Sequence, residues 1–204
     1  MNLAIFLFLS FALLGSIEVA KRQFKLSADI TRKATHVGAA LIAAASPLFL
    51  SPIVIVVSCL FFAGLLFAGR SSNLFSSIHD VKRKTYGAVF LPLGEALSAI
   101  VFLSHGVREF QFGVLVMGIS DPLASLIGER FGRHNFKILG NRKSVEGSLS
   151  FFLSALVITF IFSPVFGLPL ILIPLVLTFV ELVLGYGFDN LALPATGALL
   201  LTLL

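Results

Sequence analysis

The sequence predicts an all-α protein, a polytopic transmembrane bundle of about eight helices with its N-terminus outside. Three observations predict it. The 204-residue chain is 57% hydrophobic and 12% charged, with a mean hydropathy of +1.03. Its apolar residues form long continuous runs rather than the alternating stretches of about ten residues that a membrane barrel needs. Lipid leaves only helices and closed barrels as spanning structures, because an unpaired backbone group there finds no water. The third observation is a one-sided distribution of cations, taken up below.

A span needs about 20 residues, and somewhat fewer where the helix is short. On that basis the apolar segments run over 1–17, 34–51, 53–69, 85–104, 110–128, 147–163, 168–185 and 191–204, the last being a short one. No Pro/Ser-rich linker, low-complexity tract or repeat divides them, so residues 1–204 read as one integral-membrane domain. The first segment, MNLAIFLFLSFALLGSIEVAKRQFK, has no basic residue before its apolar core and a basic cluster after it. That order predicts a retained helix rather than a cleaved signal peptide.

The cations set the orientation. Lys21, Arg22, Lys25, Arg32 and Lys33 lie between the first and second segments, Arg70, Lys82, Arg83 and Lys84 between the third and fourth, and Arg130, Arg133, Lys137, Arg142 and Lys143 between the fifth and sixth. Of 15 lysines and arginines, Arg108 alone falls in a connection on the other side. The positive-inside rule makes the rich side cytoplasmic, and the expected location is the cell membrane. Tyr86 and Tyr186 fall near the same face, as interfacial anchors do. The net charge of +5 is therefore a matter of topology, and nucleic acid is not an expected partner. The single cysteine, Cys59, excludes a disulfide or a Cys-based metal centre, and the four histidines have no metal-ligand spacing.

Ionisable groups at membrane depth cost at least ~2.5–3.5 kcal/mol on the lenient insertion scale, so they face a protein or water-filled interior. Glu95, Asp121 and Glu181 lie within apolar segments, and Asp189 and Asn190 at the mouth between the last two. Interhelical hydrogen bonds account for one such acid, but here each acid shares a helical face with small residues: Gly118, Asp121, Ser125 and Gly128; Gly94, Glu95 and Ser98; Glu146, Gly147 and Ser150; Thr178, Glu181 and Gly185. Such faces suit a polar cavity, with Glu95 deepest, about 15 Å in at 1.5 Å per residue. Arg32 and His36 share a face at the cytoplasmic mouth, with Lys33 beside them. Acids beneath a rim of cations fit a polyphosphate with a divalent metal, carboxylates and phosphate oxygens holding Mg²⁺ and Lys or Arg neutralising the transferring group. Pro122 removes a backbone donor and is expected to break the helix beside Asp121. GNRKSVEGS is not a P-loop, yet it offers Lys143 and backbone N–H groups to phosphates where the next helix starts.

These residues resemble a known family. SDPLASLIGERFGRHNFKILGNRKSVEGSLSFF resembles the signature of the CTP-dependent lipid-alcohol kinases (dolichol, phytol and farnesol kinases and the CTP-dependent diacylglycerol kinase): an acid, G-x-x-F-G, a basic loop and K-[ST]-x-E-G-[ST]. RKATHVGAA, KRKTYGAVFLPLG and ELVLGYGFDNLALP resemble further family segments in the same order, covering nearly the whole chain from Arg32. Ser120 stands where many members have Gly before the acid. The resemblance implies transfer of the γ-phosphoryl group of CTP, with Mg²⁺, to a membrane-embedded alcohol such as dolichol, phytol, farnesol or diacylglycerol. It implies Asp121, Asp189 and His36 as catalytic residues, with Asp121, Asp189 and Glu146 at the metal. Lys143, Arg142, Glu146, Arg32, Lys33, Asn190, Gly128 and Gly132 would bind the nucleotide, and Glu95 and Glu181 the acceptor. Phosphatidate cytidylyltransferases share the central segment but end on a signature that is absent here. A small-solute transporter would also bury acids, but its outer connections would not be so short and uncharged.

Overall fold

The computed structural model describes residues 2–70, 76–79, 85–163 and 167–203. It is an all-α polytopic bundle of α1 (Asn2–Phe24), α2 (Ala28–Ala45), α3 (Pro52–Gly69), the single turn α4 (Ser76–His79), α5 (Gly87–Phe102), α6 (Val107–Leu115), α7 (Asp121–Phe131), α8 (Val145–Phe162), α9 (Leu168–Val183) and α10 (Phe188–Thr202). Between α7 and α8 runs a two-stranded hairpin, β1 (Asn135–Ile138) and β2 (Asn141–Ser144). Every apolar segment is a helix, although α1 and α2 reach further toward their shared connection than hydropathy suggests. In α1 the extension carries Lys21 and Arg22 in the last turn, where cations meet the negative end of the helix dipole. In α2 it begins at the cap Ser27, whose hydroxyl accepts the Ile30 N–H, with Asp29 in the first turn. The cluster Lys82, Arg83 and Lys84 lies outside the described residues.

Among the described residues, four helical stretches are long and apolar enough to cross a membrane: α1, α3, the continuous Val107–Phe131 and α8. Helices α5 and α9 are apolar but shorter. The outer surface carries exposed Phe8, Ile53, Phe67, Ile100, Ile161 and Phe179, a face that hydrocarbon solvates and water does not. Inside, Phe112, Met117, Phe151, Leu177 and Leu193 form a core joining α6, the turn after it, α8, α9 and α10. A second core joins α2, α3, α5 and α6 around Ala40, Ile55, Ala99 and Phe110. Small residues allow the close approaches that membrane packing relies on. A Cβ on Gly94 of α5 would stand 2.2 Å from the Asn190 carbonyl of α10.

Pro122 does not break the helix. Residues Val116–Ser120 widen into a π-helical turn, and α7 starts directly at Asp121 with Pro122 in its first turn. The bond that Pro122 cannot donate is lost where the chain changes from π to α geometry, so helical continuity survives.

Candidate active site

One end of the bundle collects the N-termini of α2, α5, α8 and α10, the C-termini of α7 and α9, and the hairpin. Between them lies a cavity of about 490 Å³. Arg70, at the end of α3, belongs to this end too: its guanidinium donates to the Thr85 carbonyl at 3.2 Å and stands 4.1 Å over the Tyr86 ring. Tyr86 and Tyr186 are both half exposed here.

The hairpin turns through Leu139 at φ 46° and Gly140 at φ 82°, the two positive φ values of a type I′ turn. Its register pairs Lys137 with Arg142 and Phe136 with Lys143. Lys143 is half-buried while Arg142 is exposed, since neighbours in a strand point to opposite faces. The Lys143 ammonium donates to the Glu181 carbonyl at 2.9 Å near the C-terminus of α9, and pairs with the buried Glu181 carboxylate. Lys143 is therefore delivered into the cavity by a strand and held there by an acid. Glu181 serves the cation, which differs from the acceptor contact expected of it.

From α2, Arg32 and Lys33 line the cavity. Lys33 pairs with Asp29 and with Glu129 of α7, and Arg32 with Asp29 at 3.5 Å. His36, one turn further in, has Nδ1 3.9 Å from Asp121 Oδ2 and its other ring nitrogen against Met117 Sδ. Asp121 therefore stands between α2 and the π turn. Asp189 of α10 lines the same cavity, with Lys143 and Arg32 on its wall.

Asp189 and Asn190 owe their position to a crossing of two helix starts. Tyr186 and Gly187 take φ values of 57° and 99°. A Cβ on Gly187 would stand 2.3 Å from the Gly87 nitrogen, so both conformation and space require glycine. The Tyr86 N–H donates to the Tyr186 carbonyl at 3.1 Å and the Asn190 amide to the Gly87 carbonyl at 2.9 Å. The Asn190 carboxamide oxygen, Glu181 Oε2 and Arg32 Nε are buried without a hydrogen-bond partner. Orphaned polar atoms of both signs around one cavity fit a ligand carrying phosphates and an oxygen-bound cation.

Among the described residues, no three acids, histidines or cysteines converge to ligate an ion by themselves. The structure sets two expected residues, Glu146 and Glu95, away from the polar centre and gives two expected glycines a packing role. Glu146 does not line the cavity: it is tied back to His134, accepting from Nδ1 at 2.8 Å and from the backbone N–H at 3.2 Å. Glu95 lines a smaller, apolar cavity below. Gly128 and Gly132 reach the cavity wall, but packing is what demands glycine there: a Cβ on either would meet Ser144 at 2.9 Å. The start of α8 also offers fewer free N–H groups than expected, because Ser144 Oγ takes the Gly147 N–H at 3.1 Å and the His134 carbonyl takes that of Val145 at 3.0 Å.

Glu129, Asn135 and Asn141 line the cavity without having been singled out in the sequence. Glu129 stands two turns after Asp121 on the face through Ser125, whose hydroxyl donates to it at 2.9 Å, so the helical spacing could have found it. Asn141 packs against Gly185, a contact that no sequence pattern signals.

Against known proteins, the chain is 32% identical over 198 residues to a phytol kinase of a Synechocystis species, covering 93% of this chain and 85% of the relative. An uncharacterized protein of Methanocaldococcus jannaschii is 34% identical over 148 residues, 72% of this chain and 74% of the relative. The dolichol kinase of Saccharomyces cerevisiae is 39% identical over 71 residues, only 13% of that longer protein. No protein-family model matches, and neither does any solved structure. By its likeness to phytol kinase along nearly its full length, the chain belongs to the family of lipid-alcohol kinases that includes the phytol and dolichol kinases.

Proposed function

We propose that this protein transfers the γ-phosphoryl group of CTP to a membrane-embedded isoprenoid alcohol, at a site on the cytoplasmic end of the bundle. The observation that carries the reading is the 490 Å³ cavity whose lining brings Arg32, Lys33, Arg142 and Lys143 together with Asp121 and Asp189. Phosphoryl transfer asks little covalent chemistry of a protein and much positioning and charge. Lys143 and Arg32 hold the phosphates, with Arg142 and Lys33 at the rim. Glu181 keeps Lys143 aimed inward. Asp121 and Asp189, too few to bind a metal alone, suit Mg²⁺, which takes one or two carboxylates and completes its shell with phosphate oxygens and water. When bound, the ion neutralises charge on the phosphates. Asn190 supplies an open carboxamide oxygen to the same pair or to a ribose hydroxyl. His36 stands on the wall that the polar cavity shares with the apolar one, where the acceptor meets the phosphates. Preference for CTP rests on the family resemblance, and the cytoplasmic orientation on the cations that crowd this end.

Sealed vesicles of known orientation test both parts. With phytol in the bilayer and Mg²⁺ present, γ-labelled CTP is expected to label phytol only when added on the face bearing the hairpin and the cytoplasmic loops. Labelling from the outer face would overturn the orientation. No labelling of any lipid alcohol from either face would overturn the kinase reading.

A further inference from the structure

A second cavity, about 90 Å³, lies under the polar one. Phe6, Leu13 and Leu14 of α1, Phe62 and Leu66 of α3 and Leu91 of α5 are the large apolar residues that α1, α3 and α5 bring to its wall. It shares Arg32, His36, Gly87 and Asn190 with the polar cavity, so the two meet along one edge. Thr35 also lines it, but its hydroxyl is spent on the Thr31 carbonyl at 2.9 Å. Glu95 is different. It is 4% exposed, its Oε2 receives only the long 3.8 Å contact from the Cys59 thiol, and its Oε1 has no partner. An unmet acceptor in apolar surroundings costs stability, and such groups in folded proteins call for an explanation, a missing ligand among them.

The geometry points to this cavity as the docking site for the hydroxyl end of the acceptor, a single-chain aliphatic or isoprenoid alcohol, whose O–H donates to Glu95 Oε1. The match is one of inventory: away from the edge shared with the polar cavity, where Arg32 and Asn190 stand, the wall is apolar with one unmet acceptor among the described residues, and such an alcohol offers an apolar chain and one donor. The contact needs no particular charge on Glu95, because a carboxylate and the carbonyl oxygen of a neutral carboxyl both accept. The shared edge at His36 and Arg32 then puts that hydroxyl beside the phosphates. The glycerol head of a two-chain lipid would bring two esters in beside its hydroxyl, polar groups that this apolar wall does not match. This inference rests on the proposed kinase reading for the role of the alcohol, and its test does not depend on turnover.

The test is the melting temperature of the full chain in lipid–detergent micelles with phytol, with phytane (the saturated hydrocarbon of the same branched skeleton, without the hydroxyl) and with CTP–Mg²⁺. Ligands that bind the folded state raise the melting temperature. Phytol is expected to raise it and phytane to leave it unchanged. In Glu95→Leu the affinity for phytol should fall about ten-fold or more, as for a lost hydrogen bond to a carboxyl group, while the CTP response is unchanged. Ala39→Leu, which narrows the same cavity from α2 without altering Glu95, should weaken phytol alone in the same way. A wild type that phytol does not stabilise, or equal phytol responses in wild type and Glu95→Leu, would overturn the inference. Phytol stabilisation lost in Glu95→Leu, in a protein that transfers no phosphate, would leave this site standing and remove the kinase reading.

Discussion

Replacing Asp121 by Asn keeps the size and polarity of the side chain and removes its charge. Asp121 stands against His36 and, among the described residues, is one of two carboxylates in the polar cavity that no lysine or arginine holds at ion-pair distance. A group that stabilises charge in phosphoryl transfer contributes on the order of 10²-fold or more, so Asp121→Asn should lose at least that in turnover. The melting temperature should be unchanged or higher, because an amide is cheaper to bury at this depth than a carboxylate. A variant that melts lower and keeps near-normal turnover per folded molecule would make Asp121 a strut of the bundle. At this scale the sequence was informative where burial contradicts chemistry: an acid in an apolar run needs a reason, and Asp121, Glu181 and Asp189 all reach the cavity. It does not signal where a motif residue has a local partner. Glu146 sits in the first turn of α8, within reach of the N–H groups that precede the helix, and His134 takes it. Lys33 and Glu129 satisfy one another across two helices, and only the fold brings them together.

The helices were legible because hydropathy and length decide them, and the hairpin was not. The segment NFKILGNRKS alternates poorly, and its turn places Leu139, not Asn or Gly, at the first positive-φ position. A type I′ turn favours Asn-Gly, so Leu139 is held there by the strands around it. Two substitutions follow. Gly140→Val forces a β-branched residue to a φ of 82°, which distorts the strand that delivers Lys143. It should raise the KM for nucleotide several-fold and leave the acceptor KM alone. Leu139→Asn suits the turn and touches an exposed tip, so it should stabilise by about 0.5–1 kcal/mol without changing turnover. Thermal melting and paired KM measurements read both. Unchanged nucleotide KM in Gly140→Val would detach the hairpin from the site. The π turn escaped the sequence for a related reason: Pro122 signals a disturbed ladder and does not say whether the chain breaks or widens.

Across the whole molecule, the connections that carry the cations of the described residues meet at one end, while Arg108 stands in the first turn of α6. The alternation of charge along the sequence therefore anticipated which loops converge, because loops on one side of a membrane are confined to one plane. It could not show how the acids divide. Asp121, Glu181 and Asp189 meet the cations in one cavity, and Glu95 lies in the apolar one below. That division suits a reaction between a water-soluble polyphosphate and a lipid, each reaching the boundary from its own side. Its central claim is that the γ-phosphoryl group, and not the nucleotide, crosses that boundary. The direct measurement is to supply purified protein with phytol, Mg²⁺ and CTP labelled either at the α- or at the γ-phosphate, and to count label in the extracted lipid. The account predicts γ-label in phytyl phosphate, no α-label in lipid, and CDP as the released product; α-label in the lipid with pyrophosphate released would contradict it and make this chain a cytidylyltransferase.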